Sequence, residues 1–255
     1  MKERIQKTLA NAGIDSRRNV EKLVLEGRVA VNGRILAKLP VLVDPDQDQI
    51  EVDGQSIRVA QRRGERRVYL LLNKPRGVVT TNVAQGVQTR AIDLLPPGLP
   101  QRVYPVGRLD AQAKGVLLLT NDGELTHRLT HPRFGVPRTY RAVIDGSIGR
   151  EAVAELEKGI WITDARTGKP RQTGQCRVRI VKRMVEKSII EITLREGVNP
   201  EIRKTLAKLG HKVRDLTRVR VGPLTLEGLP PGKLRPLLSR EIRELNRLAG
   251  LGPAS

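Results

Sequence analysis

The chain has 255 residues, and 47 Lys and Arg against 27 Asp and Glu give it a net charge of +20. That surplus calls for a polyanion, either nucleic acid or an anionic membrane surface. A 38% hydrophobic content excludes general disorder, and the single Cys excludes a disulfide framework and a cysteine-rich zinc site.

The N-terminal stretch MKERIQKTLANAGID is charged and lacks the apolar core of a secretion signal. No run approaches the roughly 18 apolar residues that span a membrane. The expectation is a cytoplasmic protein. Ile5, Leu9 and Ala12 recur at helical spacing and Gly13 ends that helix. Ser16 is the predicted N-cap of a second helix carrying Val20, Leu23, Val24 and Leu25, closed by Gly27. Val29–Val31, the Asn32-Gly33 turn and a return strand from Arg34 form a predicted hairpin. Residues 50–52 and 57–59, around Asp53-Gly54, form a second one. Residues 1–60 are therefore a small α+β module. Its cations Arg4, Lys7, Arg17, Arg18, Lys22, Arg28 and Arg34 fall in the first half, and Asp44, Asp46, Asp48, Glu51 and Asp53 in the second. Arg17, Arg18 and Lys22 cluster where the second helix starts, and its dipole and free N–H groups already favour anions there.

Residues 61–67, QRRGERR, are polar and aperiodic and are assigned to a linker. A second domain is predicted over 68–248, with a frayed tail at 249–255. Its predicted strands are Tyr69–Leu72, Val116–Thr120, Thr139–Ile144 and Arg214–Val221, plus a hairpin of Arg177–Lys182 with Ser188–Leu194. Helices are predicted from Asn121 or Asp122 to Leu129, from Ser147 or Gly149 to Leu156, from Asn199 to Leu209, and over Ser239–Leu248. Short turns and helices alternate between these strands. The fold class is α+β, with a mixed, mainly antiparallel sheet flanked by helices.

Few residues in this domain are chemically pointed. His127 and His131 have a helical ligand spacing, but zinc needs at least three protein ligands and no third stands near, so no metal is expected. Cys176 has no base partner in sequence and reads as a small strand residue. No Walker loop or GxGxxG occurs, so no nucleotide cofactor is implied. Asp110 follows Arg108 in a polar loop just before a buried strand, where a carboxylate flanked by cations can serve as nucleophile or base. Local chemistry alone favours the plainer reading, an Asp that caps a turn and pairs with an arginine. The aromatics are Tyr69, Tyr104, Phe134, Tyr140 and Trp161, too few for a base-stacking platform, so phosphate and shape recognition should dominate.

Two resemblances sharpen this picture. GIDSRRNVEKLVLEGRVAVNG, within residues 2–55, resembles the S-four RNA-binding domain first known from a small-subunit ribosomal protein. The resemblance implies RNA contacts from Arg4, Lys7, Arg17, Arg18, Lys22 and Arg28. VGRLD…GVLLLTNDGEL resembles the catalytic motif of the pseudouridine synthases that modify ribosomal RNA. LLLNKPRGVVTT, PRTYRAVIDG and LREGVNPEIRKTLAKLGHKVRDLTRVRVGPLTL resemble that family's other motifs, in order.

Carried over from the family, Asp110 is the catalytic carboxylate, Tyr140 stacks on the flipped uracil, and Arg203 pairs with Asp110. Ile202 packs beneath the base, Arg108 holds the RNA strand, and Asn73 and Lys74 shape the floor of the site. The implied reaction turns a ribosomal uridine into pseudouridine, with the large subunit favoured over the small. It is redox-neutral and transfers no group from a donor, so no cofactor or metal is needed. The expected partner is structured ribosomal RNA and the expected state a monomer. Ala113, Pro200 and Glu201 depart from the family pattern. The competing expectation is a non-catalytic RNA-binding or ribosome-assembly factor on the same fold.

Overall fold

The computed structural model describes residues 2–57, 67–82, 86–99, 102–163, 168–195 and 202–252. Backbone contacts divide the chain into two compact units, residues 1–66 and 67–255. Most of the predicted linker, the Asn199 cap, Pro200 and Glu201 lie outside the described residues. Arg67, assigned by sequence to the linker, donates from Nη1 to Asp122 Oδ2 at 2.9 Å.

The N-terminal unit runs β1 (Glu3–Arg4), α1 (Ile5–Asn11), α2 (Arg17–Leu25), β2 (Val29–Val31), β3 (Arg34–Ile35), β4 (Leu42–Val43), β5 (Ile50–Val52) and β6 (Gln55–Ile57). Ser16 caps α2, its Oγ accepting the Asn19 N–H at 3.2 Å. Asn32 and Gly33 both take positive φ, 50° and 76°, as a two-residue hairpin turn with the right twist demands. Strands β3-β2-β5-β6 form one antiparallel sheet. Ile5, Leu9, Val20 and Val24 pack the apolar faces of both helices onto Val29, Ile50 and Val52. The second return strand starts at Gln55, earlier than predicted, because the Asp53-Gly54 turn leads straight into pairing.

The second unit continues with β7 (Tyr69–Lys74), β8 (Tyr104–Pro105), β9 (Lys114–Thr120), α3 (Gly123–Thr130), β10 (Arg138–Asp145), α4 (Arg150–Lys158), β11 (Trp161–Thr163) and β12 (Pro170–Gln172). It closes with β13 (Cys176–Arg183), β14 (Lys187–Leu194), α5 (Ile202–Lys208), β15 (Val213–Val221), β16 (Leu224–Thr225), β17 (Leu234–Pro236) and α6 (Ser239–Leu248). One nine-stranded sheet has the order β13-β14-β10-β15-β9-β7-β17, with β16 beside β15 and β8 beside β9. Only β15 and β9 pair in parallel among these. The mixed, mainly antiparallel α+β architecture is therefore the observed one.

Both faces of the β7–β9 pair are buried. Leu70, Leu72, Leu117 and Leu119 face Val78, Ala91 and Val103 on one side. Leu71, Val116 and Leu118 meet Leu125 and Leu129 of α3 and Leu245 of α6 on the other. Two-sided burial explains why these strands read as unbroken apolar runs. Further along the sheet, Tyr140, Ala142, Ile144, Ile190 and Ile192 pack against Leu156 of α4 and Ile202 and Leu206 of α5. The frayed tail predicted from 249 needs correction. Ala249 is fully buried, Leu251 packs on the same core as α6, and Arg128 Nη1 donates to the carbonyls of Ala249 and Gly250 at 3.1 and 2.8 Å. One guanidinium thus satisfies carbonyls that a helix end leaves open.

Candidate active site

Three strand registers align to make a transverse row. Lys74 lies opposite Gly115 across β7 and β9, Gly115 opposite Arg218 across β9 and β15, and Arg218 opposite Tyr140 across β15 and β10. Residues directly opposite one another share a face of the sheet. Lys74, Arg218 and Tyr140 therefore project to one side, with Gly115 leaving a gap between two long cations. All three side chains are buried: Lys74 is 0%, Arg218 3% and Tyr140 3% exposed.

The loop joining β8 to β9 crosses this row and carries Asp110. Its backbone is tied down at five consecutive carbonyls, each accepting a hydrogen bond. Arg218 Nη1 donates to Arg108 (3.2 Å), Thr80 Oγ1 to Leu109 (3.0 Å), and the Ala113 N–H to Asp110 (3.0 Å). Gly77 N–H and Lys74 Nζ donate to Ala111 (2.7 and 3.5 Å), and Arg203 Nη2 to Gln112 (3.4 Å). Leu109 N–H returns a bond to Thr80 Oγ1 at 3.0 Å. Asp110 itself is exposed while its neighbours Leu109 and Ala113 are buried at 2% and 1%. A carboxylate is thus presented to solvent on a backbone held from beneath, the preorganisation that chemistry requires.

The cations under the loop shape its electrostatics. Lys74 Nζ spends its three N–H groups on the carbonyls of Pro75, Val78 and Ala111. Burial pushes its ammonium down to about 8; Arg218 adds to the fall and the charge of Asp110 opposes it. Burial also lowers Arg138, which Tyr140 opposes and Arg218 reinforces. Arg138 Nη2 donates to the Leu129 carbonyl at 2.5 Å, and Arg218 Nε donates to Val116 at 2.8 Å. Two buried cations, Lys74 and Arg218, therefore stand behind one exposed carboxylate, with the half-buried Arg138 near Arg218, a positive field suited to an anionic chain.

The residues singled out by sequence fall into two groups. Asp110, Arg108, Lys74, Tyr140, Ile202 and Arg203 come together. Tyr140 and Ile202 share one core cluster, and Arg203, from α5, reaches the Asp110 loop. The contacts of Arg203 are to backbone: Nη2 to Gln112 and Nη1 to Val213 at 2.8 Å, with Nε buried and unpartnered. Asn73 does not join them. Strand alternation turns it to the opposite face from Lys74, where Nδ2 donates to Leu229 at 2.7 Å. His127 and His131 meet each other and Phe134 as rings, and among the described residues no three His, Cys, Asp or Glu side chains gather as a metal site.

Arg218 and Thr80 are the contributors that sequence reasoning missed. Arg218 had a signal, since it sits on the same strand phase as Leu216, where an apolar residue belongs. Thr80 had none. In the N-terminal unit, Arg17 and Arg18 are exposed at the start of α2, while Lys22, also exposed, lies in its last turn and not at the helix start predicted from sequence. Arg28 instead lies in a two-pronged pair with Asp53, Nε and Nη2 each at 2.7 Å, and Lys7 pairs with Glu3 at 2.7 Å.

Residues 68–208 match the family model of RNA pseudouridylate synthase, and residues 3–50 match the S4 domain. The chain belongs to the RNA pseudouridine synthase family. Along 98% of its length it is 39% identical to an uncharacterized RNA pseudouridine synthase of Aquifex aeolicus, covering 96% of that protein. It is 38% identical to the ribosomal large subunit pseudouridine synthase B of Bacillus subtilis, over 98% of both chains. A pseudouridylate synthase crystal structure superposes with a TM-score of 0.66 at 26% identity, covering 95% of this chain and 99% of that one. As an RNA pseudouridine synthase, the enzyme is an isomerase with an N-terminal RNA-binding S4 domain. Among its described residues, no helix is long and apolar enough to cross a membrane.

Proposed function

We propose that this synthase converts one specific uridine of large-subunit ribosomal RNA to pseudouridine in the cytoplasm, acting on a base flipped from its stack, with Asp110 as the essential carboxylate. The observation that carries this reading is the loop of residues 108–112, whose carbonyls are all held while Asp110 stays exposed. The likeness to the Bacillus subtilis large-subunit enzyme supports the choice of RNA.

The chemistry balances without a co-reactant. The C1′–N1 bond breaks, the ring turns, C1′ bonds to C5, the C5 hydrogen leaves to solvent and N1 gains a proton. Asp110 serves either by attacking C1′ or by removing the sugar proton that gives a glycal. Unstacking the base costs a few kcal/mol, which a pocket with hydrogen-bonding groups offsets. Tyr140 and Ile202 line the place where the base meets the core, and Arg203 and Arg218 hold the loop that bears Asp110.

The test uses large-subunit ribosomal RNA transcribed with uridine tritiated at C5. The parent chain should release tritium to water, and Asp110→Asn should bind the RNA yet release none. Binding without release by the parent would favour the assembly-factor reading. Full activity in Asp110→Asn would sink the role given to the carboxylate.

A further inference from the structure

The face of the sheet opposite the catalytic row is only half covered. Helices α3 and α6 pack over β7, β9 and the end of β15. Among the described residues of this unit no helix packs over the half built from β10, β14 and β13, and alternation fills it with arginine and threonine. Two rows cross it. In one, Arg177, Thr193, Thr139 and Arg220 are successive partners across β13, β14, β10 and β15. In the other, Arg179, Glu191, Arg141 and Thr217 are partners across the same strands. A concavity of about 490 Å³ opens over these rows, with Val219 at its wall.

The side chains are ordered in a way that solvation alone does not require. Glu191 accepts from Arg141 at 2.8 Å and from Arg179 at 2.6 Å, fixing both guanidiniums over the middle of the face. Thr139 and Thr193 join their hydroxyls at 2.9 Å. Arg177 and Arg220 stand exposed at the two ends of their row, and neither has an ion pair among the described residues. Four guanidiniums stand on this face beside one carboxylate, Glu191, which pairs with two of them, so the face is strongly positive. Arginine suits phosphate through its planar, bidentate donors.

From this placement we infer that the open back face is a second RNA-docking surface, binding the sugar–phosphate backbone of a ribosomal RNA segment other than the one held at Asp110. The inference rests on the reading of ribosomal RNA as substrate. Arg177 and Arg220 make phosphate contacts at the ends, while Arg141 and Arg179 are pre-positioned between them. A surface on the far side of the sheet lets a large folded RNA be gripped from two directions, which a short hairpin does not need.

Filter binding of the full chain to an unmodified large-subunit RNA transcript, over a range of KCl, tests this. The double variant Arg177→Glu with Arg220→Glu should bind at least tenfold more weakly. Its log–log salt slope should fall by about 1.4, for two lost contacts at roughly 0.7 each. The double variant Arg177→Lys with Arg220→Lys should keep the parent slope. Tritium release at saturating RNA should be unchanged in all of them. If charge reversal lowers the melting temperature, Arg177→Gln with Arg220→Gln provides the same readout. Parent-like affinity and slope in the reversed variant would overturn the inference. So would unchanged binding to naked RNA coupled to poorer modification of assembling particles, which would make the partner a protein. If the parent releases no tritium, the proposed activity falls, and the salt slope still decides the surface.

Discussion

Gly115 and Arg218 face each other where β9 and β15 run parallel, and their backbones approach so closely that a Cβ on Gly115 would sit 2.2 Å from the Arg218 carbonyl oxygen. Gly115 also holds φ at +113°, outside the range that side-chain-bearing residues favour. The contact sets the depth at which Arg218 crosses beneath the Asp110 loop. Gly115→Ala is therefore expected to cost about 3 kcal/mol or more, combining backbone strain with overpacking. Turnover should fall with it, because Arg218 must move. Urea unfolding and tritium release check both effects; a variant as stable and active as the parent would contradict the close approach.

Tyr140 is 3% exposed and packs with Ile192 and Ile202, so its ring has a structural duty as well as a proposed catalytic one. The two separate by substitution. Tyr140→Phe keeps the packing and should melt like the parent while turning over more slowly. Tyr140→Ala opens a cavity and should lose about 3–5 kcal/mol of stability. An unchanged kcat in Tyr140→Phe would remove the hydroxyl from the mechanism.

Arg203 ties α5 to the carbonyl of Gln112 and to that of Val213. Its loss should loosen the Asp110 loop with little change in RNA affinity. Arg203→Ala is expected to lower kcat by about 100-fold, the scale of a displacement near 1 Å. KM should stay near the parent value. A rise in KM with kcat intact would make Arg203 an RNA contact instead.

Lys74 gives stability a pH signature. Burial holds its folded value at about 8, below the ordinary 10.5. Between those two values the unfolded chain binds the extra proton, so stability rises with pH through that window. Lys74→Met has no such group. The unfolding free energy of the parent minus that of Lys74→Met should therefore increase from pH 8 to pH 10.5. A difference that stays flat, or declines, would show that the ammonium is not desolvated.

The cations of the N-terminal unit should not be equivalent. Arg17→Ala with Arg18→Ala should weaken RNA binding and reduce its salt dependence, leaving kcat at saturating RNA intact. Arg28→Ala should change the salt slope little, because its guanidinium is already engaged by Asp53 and Glu26. Filter binding over a KCl series distinguishes them. An equal drop in slope for Arg28→Ala would return it to the RNA contacts.

Local rules carried far in this sequence. The Ser16 and Asp122 caps, the Asn32-Gly33 turn and the hairpin of β13 with β14 all form where turn chemistry and alternation put them. They depend on neighbours a few residues away. Lys74 shows where that reading stops. The apolar run predicts a strand ending at Leu72; β7 continues to Lys74 because three carbonyls, two of them local and one from the Asp110 loop, surround the ammonium.

Composition and motifs alone were enough for the positive charge, the order of the main helices and strands, and membership in an RNA-modifying family, and they singled out Asp110 for the proposed role. What surrounds that carboxylate depends on pairing between distant strands. Arg218 is 108 positions away in sequence and Thr80 is 30, yet both bond the same loop, since strand order and register bring β15 and the segment after β7 beside it. The same registers turn Asn73 away from the site and leave one half of the opposite face open. Which face a side chain occupies, and which distant strand lies next to it, follows from pairing across the sheet, and a one-residue slip in that pairing would reverse it.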